Sequence, residues 1–182
     1  LAVKVHELNH PATQHTCQDL RQADWTKLPS YDVMLAAPAC QGHSTASQPK
    51  RRQYHDVLRA TAWAVVDCAD VTEPSALIVE NVPSFRQWRL YPVWRQALER
   101  LGYKLEEHVL TASHFGVPQR RTRLFVVGTR GPSIRIPHAT TEPGFGDVIE
   151  WGTGKWRPLH KASKGAQAKA VIAKGRWGPR CL

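Results

Sequence analysis

The most informative stretch of the chain runs from residue 33 to residue 44 and reads VMLAAPACQGHS. Apolar residues come first, a pattern typical of a strand that is buried on both faces of a parallel sheet. A single thiol, Cys40, then follows in a loop of small and polar residues. Because ligands bind outside the carboxyl ends of the strands in an open α/β sheet, this pattern predicts a thiol at the functional edge. A lone cysteine at such a position is also compatible with an inert buried thiol.

Two further strand boundaries carry chemically active side chains. The apolar residues 76–79 end in the segment ENVP at residues 80–83, and the segment QRRTR at residues 119–123 precedes another apolar run. Taken separately, the first segment is compatible with a strand end before a proline turn, and the second with a solvated basic edge strand. Taken together with Cys40, they predict a nucleophile, a carboxyl group and an arginine cluster at one crevice.

The hydrophobic pattern predicts an α/β fold, built as an open, mostly parallel sheet with helices on both faces and a late antiparallel strand pair. The expected strands are residues 1–6, 32–37, 76–79, 104–112 and 122–129, with a turn at residues 116–118 between the last two. The expected helices are Pro11 to about Cys17, a second that includes Tyr54, Val57, Leu58, Thr61, Val65 and Cys68, and a third from Pro92 to Gly102 that buries Val93, Trp94, Ala97, Leu98 and Leu101.

Length and charge limit the functional classes. A chain of 182 residues suits one domain with a sizeable core. Lys and Arg outnumber Asp and Glu by 25 to 15, and residues 151–182 contain many basic residues and no acidic one. This excess favours a polyanionic partner, although a basic tail is also compatible with a disordered cationic end or a solvated helix face.

Cysteine spacing and hydropathy predict a cytoplasmic protein without a metal. The 4 cysteines are scattered, with no Cys-x-x-Cys pair, so neither a zinc site nor a disulfide framework is indicated. No signal peptide or transmembrane run is recognisable, which predicts a reducing cytoplasm and no membrane partner. The first residue is Leu1, so we expect the chain to begin within a longer protein.

The three segments, in this order and at this spacing, resemble the motifs of the S-adenosylmethionine-dependent DNA cytosine-5 methyltransferases. Residues 38–41 are similar to the Pro-Cys nucleophile loop of that family, residues 80–82 to its Glu-Asn-Val motif, and residues 119–123 to its Gln-x-Arg-x-Arg motif. The resemblance covers residues 3–137 approximately. It implies a Rossmann-like methyltransferase sheet, duplex DNA as the substrate and methyl transfer to carbon 5 of a flipped-out cytosine.

The resemblance also implies a role for each catalytic side chain. The thiolate of Cys40 would add to carbon 6 of cytosine and convert the ring into an enamine. Glu80 would hydrogen-bond or protonate ring nitrogen 3. Arg121 and Arg123 would stabilise the thiolate and hold the cytosine carbonyl and adjacent phosphates. The residues expected to contact DNA are Gln41, Ser44 and Gln119.

By the same resemblance, S-adenosylmethionine is the expected cofactor. Glu7 would end a strand and hydrogen-bond the ribose hydroxyls, Leu8 would lie against the adenine, and Asp19 would accept from the adenine amino group. The other residues expected at the cofactor are Leu20, Pro38 and Ala39. The sequence departs from the family in lacking its Phe-x-Gly-x-Gly loop and in having Ala39 where proline usually precedes the cysteine.

From these departures we expect an internal fragment. Residues 1–136 would be an incomplete catalytic domain, and residues 137–182 a linker with the start of a target recognition region. The isolated chain would then be weakly active or inactive, because catalysis requires a positioned methyl donor. The compact motif spacing resembles that of bacterial or phage-encoded members of the family, and three roles of the parent stay open: restriction-modification, phage protection and regulation. We expect a monomer. Two alternatives stay open: the same chemistry on a cytosine of transfer RNA, and a catalytically inactive basic fragment that binds nucleic acid.

Overall fold

A computed structural model of the chain describes residues 2–39, 60–137 and 143–144. The helices and strands in chain order are α1 (Ala2–Asn9), β1 (Val33–Ala36), α2 (Trp63–Thr72), β2 (Ala76–Asn81), α3 (Tyr91–Arg100), β3 (Lys104–Thr111) and β4 (Thr122–Thr129). Short 3-10 turns lie between them, at Leu20–Gln22, Trp25–Lys27, Ala60–Ala62, Pro83–Gln87 and Ala112–Phe115.

The four strands form one sheet in the order β1-β2-β4-β3. β1 runs parallel to β2, with Val33 opposite Ala76 and Ala36 opposite Val79. β4 runs antiparallel to β2, with Glu80 opposite Phe125. The carboxyl ends of β1 and β2 therefore lie at the same edge of the sheet as the beginning of β4. This arrangement confirms the predicted α/β fold with a parallel start and an antiparallel later strand.

The hydrophobic core lies between the sheet and the two packed helices α2 and α3. Along β2 the side chains alternate, because successive residues of a strand point to opposite faces: Leu77, Val79 and Asn81 are buried, and the residues between them are partly exposed. Trp94 of α3 is fully buried and donates from its indole Nε1 to the carbonyl of Ala62 over 2.8 Å. The indole thereby anchors the start of α2.

Most predicted elements are found within a few residues of their expected bounds. β4 begins and ends where the sequence pattern placed it, and Cys68, Trp94 and Leu98 are buried as predicted. Gly102, with φ of 92°, follows α3 in the left-handed region that favours glycine. The prediction of a buried helix face is wrong for one residue, since Val93 is 51% exposed.

The two elements predicted before residue 20 are wrong. The alternation of apolar and polar residues at 1–6 favoured a strand, but Ala2–Asn9 is an α-helix without a buried residue. A strand needs a neighbour for its backbone N–H and C=O groups, whereas a helix satisfies them internally. The short helix predicted after Pro11 is also absent: a turn closed by a bond from Thr13 N–H to His10 O is followed by irregular chain up to Asp19.

The chain divides into two compact units. The first contains Leu1–Leu110 and Thr122–Arg135, and the second contains Thr111–Arg121 together with residues from Ile136 onward. Within the second unit, the loop 112–121 is closed by a hydrogen bond of 3.0 Å from the Ala112 N–H to the Arg121 carbonyl. Gly116 turns this loop with φ of 78°. The predicted domain boundary near residue 136 stays a prediction.

Candidate active site

The end of β2 and the start of β4 bring together a carboxylate and a guanidinium. Arg123 Nε donates to Glu80 Oε1 over 2.8 Å, and both side chains are partly buried. Glu80 lies opposite Phe125, so Arg123, two residues earlier on β4, is its diagonal neighbour on the same face. Arg123 Nη1 also donates to its neighbouring carbonyl at Thr122, over 2.8 Å. The guanidinium is thus fixed at two points and keeps further N–H groups for a ligand.

The chain leaving β1 is held by two side chains from other elements. The buried Asn81, at the end of β2, donates from Nδ2 to the carbonyl of Pro38 over 3.2 Å. The Ala39 N–H donates to Oγ1 of Thr61 over 3.1 Å. These bonds hold the peptide group just before Cys40 in the sequence, one strand away from Glu80. Cys40, Gln41 and Ser44 themselves lie outside the described residues.

A cavity of about 360 Å³ lies beside β1 and the chain that follows it. This volume falls within the range of small-molecule sites, and such sites are mostly apolar. Two residues predicted at the cofactor, Leu20 and Pro38, line the cavity. The rest of the described lining consists of Trp25, Leu28, Tyr31, Val33, Met34, Leu35, Ala36, Ala37, Thr61, Ala64, Val65 and Cys68.

Three other residues predicted at the cofactor are exposed. Glu7 and Leu8 lie in α1, and the expectation that Glu7 ends a strand is wrong. Asp19 begins the 3-10 turn that carries Leu20 into the cavity, and its carboxylate accepts from the backbone N–H and from the side chain of Arg21. The hydrogen bond from the Arg21 side chain lowers the pKa of Asp19 to about 2.

The other two predicted site residues of the QRRTR segment, Gln119 and Arg121, belong to the second unit. Gln119 and Arg121 are exposed in the loop after the Gly116 turn, and the Arg121 N–H donates to the Gln119 carbonyl over 2.8 Å. Within the first unit, the structure places Arg123 of the QRRTR segment on Glu80. The roles predicted for Gln119 and Arg121 stay predictions.

Known proteins are similar to this chain in sequence. The family model for C-5 cytosine-specific DNA methylases matches residues 1–147. The chain belongs to this family. It is 28% identical over 155 residues to the type II methyltransferase M.NlaX of Neisseria lactamica, covering 82% of the chain and 49% of that relative. It is 31% identical over 122 residues to the type II methyltransferase M.MspI of a Moraxella species, covering 65% of the chain and 29% of that relative. The chain thus spans about half or less of the length of these relatives.

Solved structures share the fold. The methyltransferase EhMeth of Entamoeba histolytica superimposes with a TM-score of 0.66 at 17% identity, covering 96% of this chain and 54% of that one. Methyltransferases of this family use S-adenosylmethionine in general. The apolar cavity at the end of β1 fits an adenosyl group in volume and lining. Within the part of the chain that the structure describes, no helix is long and apolar enough to cross a membrane.

Sequence reasoning missed several residues at this edge of the sheet. Asn81 belongs to a recognised motif, but the sequence assigned it no role. The sequence placed Thr61 on the buried face of a helix and not at the site. Trp25 and Tyr31 line the cavity although neither belongs to a recognised motif. The observed register of β1 and β2 accounts for the position of Asn81, because continuing it by two residues places Asn81 opposite Pro38.

Proposed function

We propose that this methyltransferase transfers a methyl group to carbon 5 of a flipped-out cytosine in duplex DNA, through a covalent bond between Cys40 and the base. The observation that carries the proposal is the hydrogen-bonded pair of Glu80 and Arg123, next to the peptide that leads into Cys40. The family match and the type II methyltransferase relatives support DNA as the substrate.

The chemistry requires a nucleophile and an acid on the same ring. Carbon 5 of cytosine is a poor nucleophile, so the thiolate of Cys40 first adds to carbon 6. The displaced electron pair moves into the ring while Glu80 delivers a proton to nitrogen 3, and the product is an enamine that is nucleophilic at carbon 5. After methyl transfer, a water molecule takes the proton from carbon 5, the electron pair of that C–H bond re-forms the ring double bond, and the thiolate leaves carbon 6. Nitrogen 3 then returns its proton to Glu80.

Arg123 has two functions in this proposal. Its Nε group holds the carboxyl group of Glu80, and its other N–H groups reach the carbonyl oxygen of cytosine, where negative charge grows during the addition. Glu80 accepts a hydrogen bond in this structure and has to carry a proton when it meets nitrogen 3. A guanidinium at this position compensates for the charge that Glu80 regains after donating that proton.

The cofactor supplies the electrophilic methyl group when it is bound. Leu20, Trp25 and Pro38 would hold its adenosyl part in the apolar cavity, which would also exclude water from the reacting atoms. Pro38 lies one residue before Ala39 and two before Cys40, so this cavity is continuous in sequence with the nucleophile. Arg121 would bind phosphate beside the target base. Direct DNA contacts are proposed for Gln41, Ser44 and Gln119.

Covalent trapping tests the proposal. The full-length protein encoded by the gene is incubated with S-adenosylmethionine and a duplex that contains 5-fluorocytosine, because fluorine at carbon 5 blocks the final elimination. We expect a denaturation-resistant protein–DNA complex that Cys40→Ala abolishes and Glu80→Gln slows by about 100-fold or more. A complex that persists in Cys40→Ala would overturn the proposed nucleophile.

Parallel reactions separate the alternatives. Transfer RNA that contains 5-fluorocytidine is offered under the same conditions, and capture of that RNA without capture of the duplex would replace DNA as the substrate. A protein that binds the duplex tightly but neither traps it nor methylates an unmodified duplex would be the inactive nucleic-acid-binding module.

A further inference from the structure

Asn81 and Thr61 bind opposite sides of a single peptide group. The carbonyl that accepts from Asn81 and the N–H that donates to Thr61 both belong to the peptide between Pro38 and Ala39. In a trans peptide these two groups point in opposite directions, and the described residues contain no cis peptide. Two hydrogen bonds on opposite sides therefore prevent the peptide plane from rotating. We propose that Asn81 and Thr61 are positioning residues that fix the orientation in which the chain enters Cys40.

Both positioning side chains are themselves anchored. Asn81 is 2% exposed, and its Oδ1 accepts from the backbone N–H of Val82 over 2.9 Å, so the amide is fixed in one orientation. Thr61 precedes Ala62, whose carbonyl accepts from the buried indole of Trp94. Groups on well-packed elements position a reactive residue more accurately than groups on a loop alone.

The identity of residue 39 makes the Thr61 bond specific to this chain. Proline at this position would have no N–H group, and its ring would fix φ. Alanine does not fix φ in this way. Ala39 does have an N–H group, which donates to Oγ1 of Thr61 over 3.1 Å. The hydrogen bond thus restricts a backbone that alanine alone would leave free. We infer that Thr61 supplies the stiffness that proline would have given.

The inference rests on the proposed function of Cys40 and predicts a specific kinetic effect. A rotation of the Pro38–Ala39 peptide would displace the atoms of Cys40, the residue that follows. A misplacement of about 1 Å can lower a reaction rate by about 100-fold. Substrate binding does not depend on that displacement to the same degree. Loss of the Thr61 hydroxyl should therefore slow adduct formation even when DNA and cofactor are both saturating.

The first experiment compares Thr61→Val, which keeps the shape but removes the acceptor, with Thr61→Ser, which keeps the hydroxyl. We expect Thr61→Val to slow trapping of 5-fluorocytosine duplex by about 10- to 100-fold in the full-length protein, and Thr61→Ser to stay within about two-fold of the wild type. Leu98→Ala, in the core of α3, controls for a general loss of stability. Equal trapping rates in the valine and serine variants would overturn the role of Thr61.

The second experiment uses Ala39→Pro, which removes the N–H and fixes φ at once. In this background Thr61→Val should change the trapping rate by less than about two-fold, because the hydrogen bond from the residue 39 N–H is already absent. The same large loss in both backgrounds would show that Thr61 acts by another route. Asn81→Asp, which keeps the acceptor but removes the donor, should slow trapping in either background. Trapping at the wild-type rate by a folded Asn81→Asp protein would exclude a positioning role for Asn81. If Asn81→Asp unfolds, the Thr61 variants alone test whether the peptide is restrained.

Hydrogen exchange separates this inference from the proposed chemistry. The amide of Ala39 should exchange at least about 10-fold faster in Thr61→Val than in Thr61→Ser, whether or not the protein methylates DNA. If exchange responds but no trapping occurs even in the wild type, the restraint exists and the proposed function is wrong. Unchanged exchange at Ala39 would overturn the restraint itself.

Discussion

Arg123 donates from Nε to Oε1 of Glu80 over 2.8 Å and joins the start of β4 to the end of β2. The same guanidinium donates from Nη1 to the Thr122 carbonyl, so it cannot turn away from Glu80 without losing a bond to its own backbone. A planar group held at two points orients its partner more strictly than a mobile ammonium group does. The carboxyl group of Glu80 is therefore directed by β4 as well as by its own strand.

Arg123→Lys should lower the rate of methyl transfer far more than it lowers stability. Lysine keeps the charge but loses the planar fork, and loss of one oriented donor costs about 100-fold or more in rate. Single-turnover methylation of a duplex substrate by the full-length protein measures this effect. Arg130→Ala is the matched control, since Arg130 lies 3.6 Å from Glu73 beyond the other end of β4. Wild-type rates in Arg123→Lys would contradict a role in catalysis.

Leu20→Ala should weaken the binding of S-adenosylmethionine. Leu20 lines the cavity and is 46% exposed, so truncation removes part of an apolar wall that would cover the adenosyl group. Each lost methylene contact is worth up to about 0.8 kcal/mol, which predicts an affinity about 3- to 10-fold lower by calorimetry. Leu90→Ala removes an equally exposed leucine, at 44%, that does not line the cavity, and should leave the affinity unchanged. Equal losses in both variants would place the cofactor elsewhere.

Gly128→Ala should destabilise the fold, because β4 passes close to its neighbours there. A Cβ atom at Gly128 would lie 2.8 Å from Cδ2 of Leu105 and 3.0 Å from Cγ of the fully buried Leu77. Overpacking of this kind costs about 1–3 kcal/mol in the free energy of unfolding, measurable by urea denaturation. Gly131→Ala meets no atom within 4 Å and should cost less than about 0.5 kcal/mol. A neutral Gly128→Ala would mean that Leu105 moves aside freely.

The sequence was most informative where one local signal decides the structure. The run before Pro38 and the run before Glu80 are apolar enough to be strands, and the rule for ligand sites in α/β sheets predicts that their ends share an edge. Prediction from the sequence failed at residues 2–9. An alternation of apolar and polar residues there suits either a strand or an exposed helix. The choice depends on whether a neighbouring strand is present, which local periodicity does not encode.

Side-chain partners at the candidate site were less predictable than the elements that carry them. The motif containing Arg120, Arg121 and Arg123 gives no indication which guanidinium reaches Glu80, because that depends on the register between β2 and β4. The hydrogen bond from the Ala39 N–H to Oγ1 of Thr61 joins residues 22 positions apart in the sequence. Such bonds follow from three-dimensional packing and have no periodic signature.

Arg21→Ala should raise the pKa of Asp19 from about 2 towards its ordinary value of 3.8, because the hydrogen bond from the Arg21 side chain is the largest cause of the shift. A depressed folded pKa stabilises the fold fully above 3.8, and this contribution is lost as the pH falls through 2. Carboxyl ¹³C shifts measure both states, with Asp24 as the control, since its lowered pKa depends chiefly on Thr26. Wild-type titration of Asp19 near 3.8 would mean that Arg21 does not bind it in solution. In that case the Asp19 carboxylate would be available to accept from the adenine amino group. Saturating S-adenosylmethionine should then lower the pKa of Asp19 in both the wild type and Arg21→Ala.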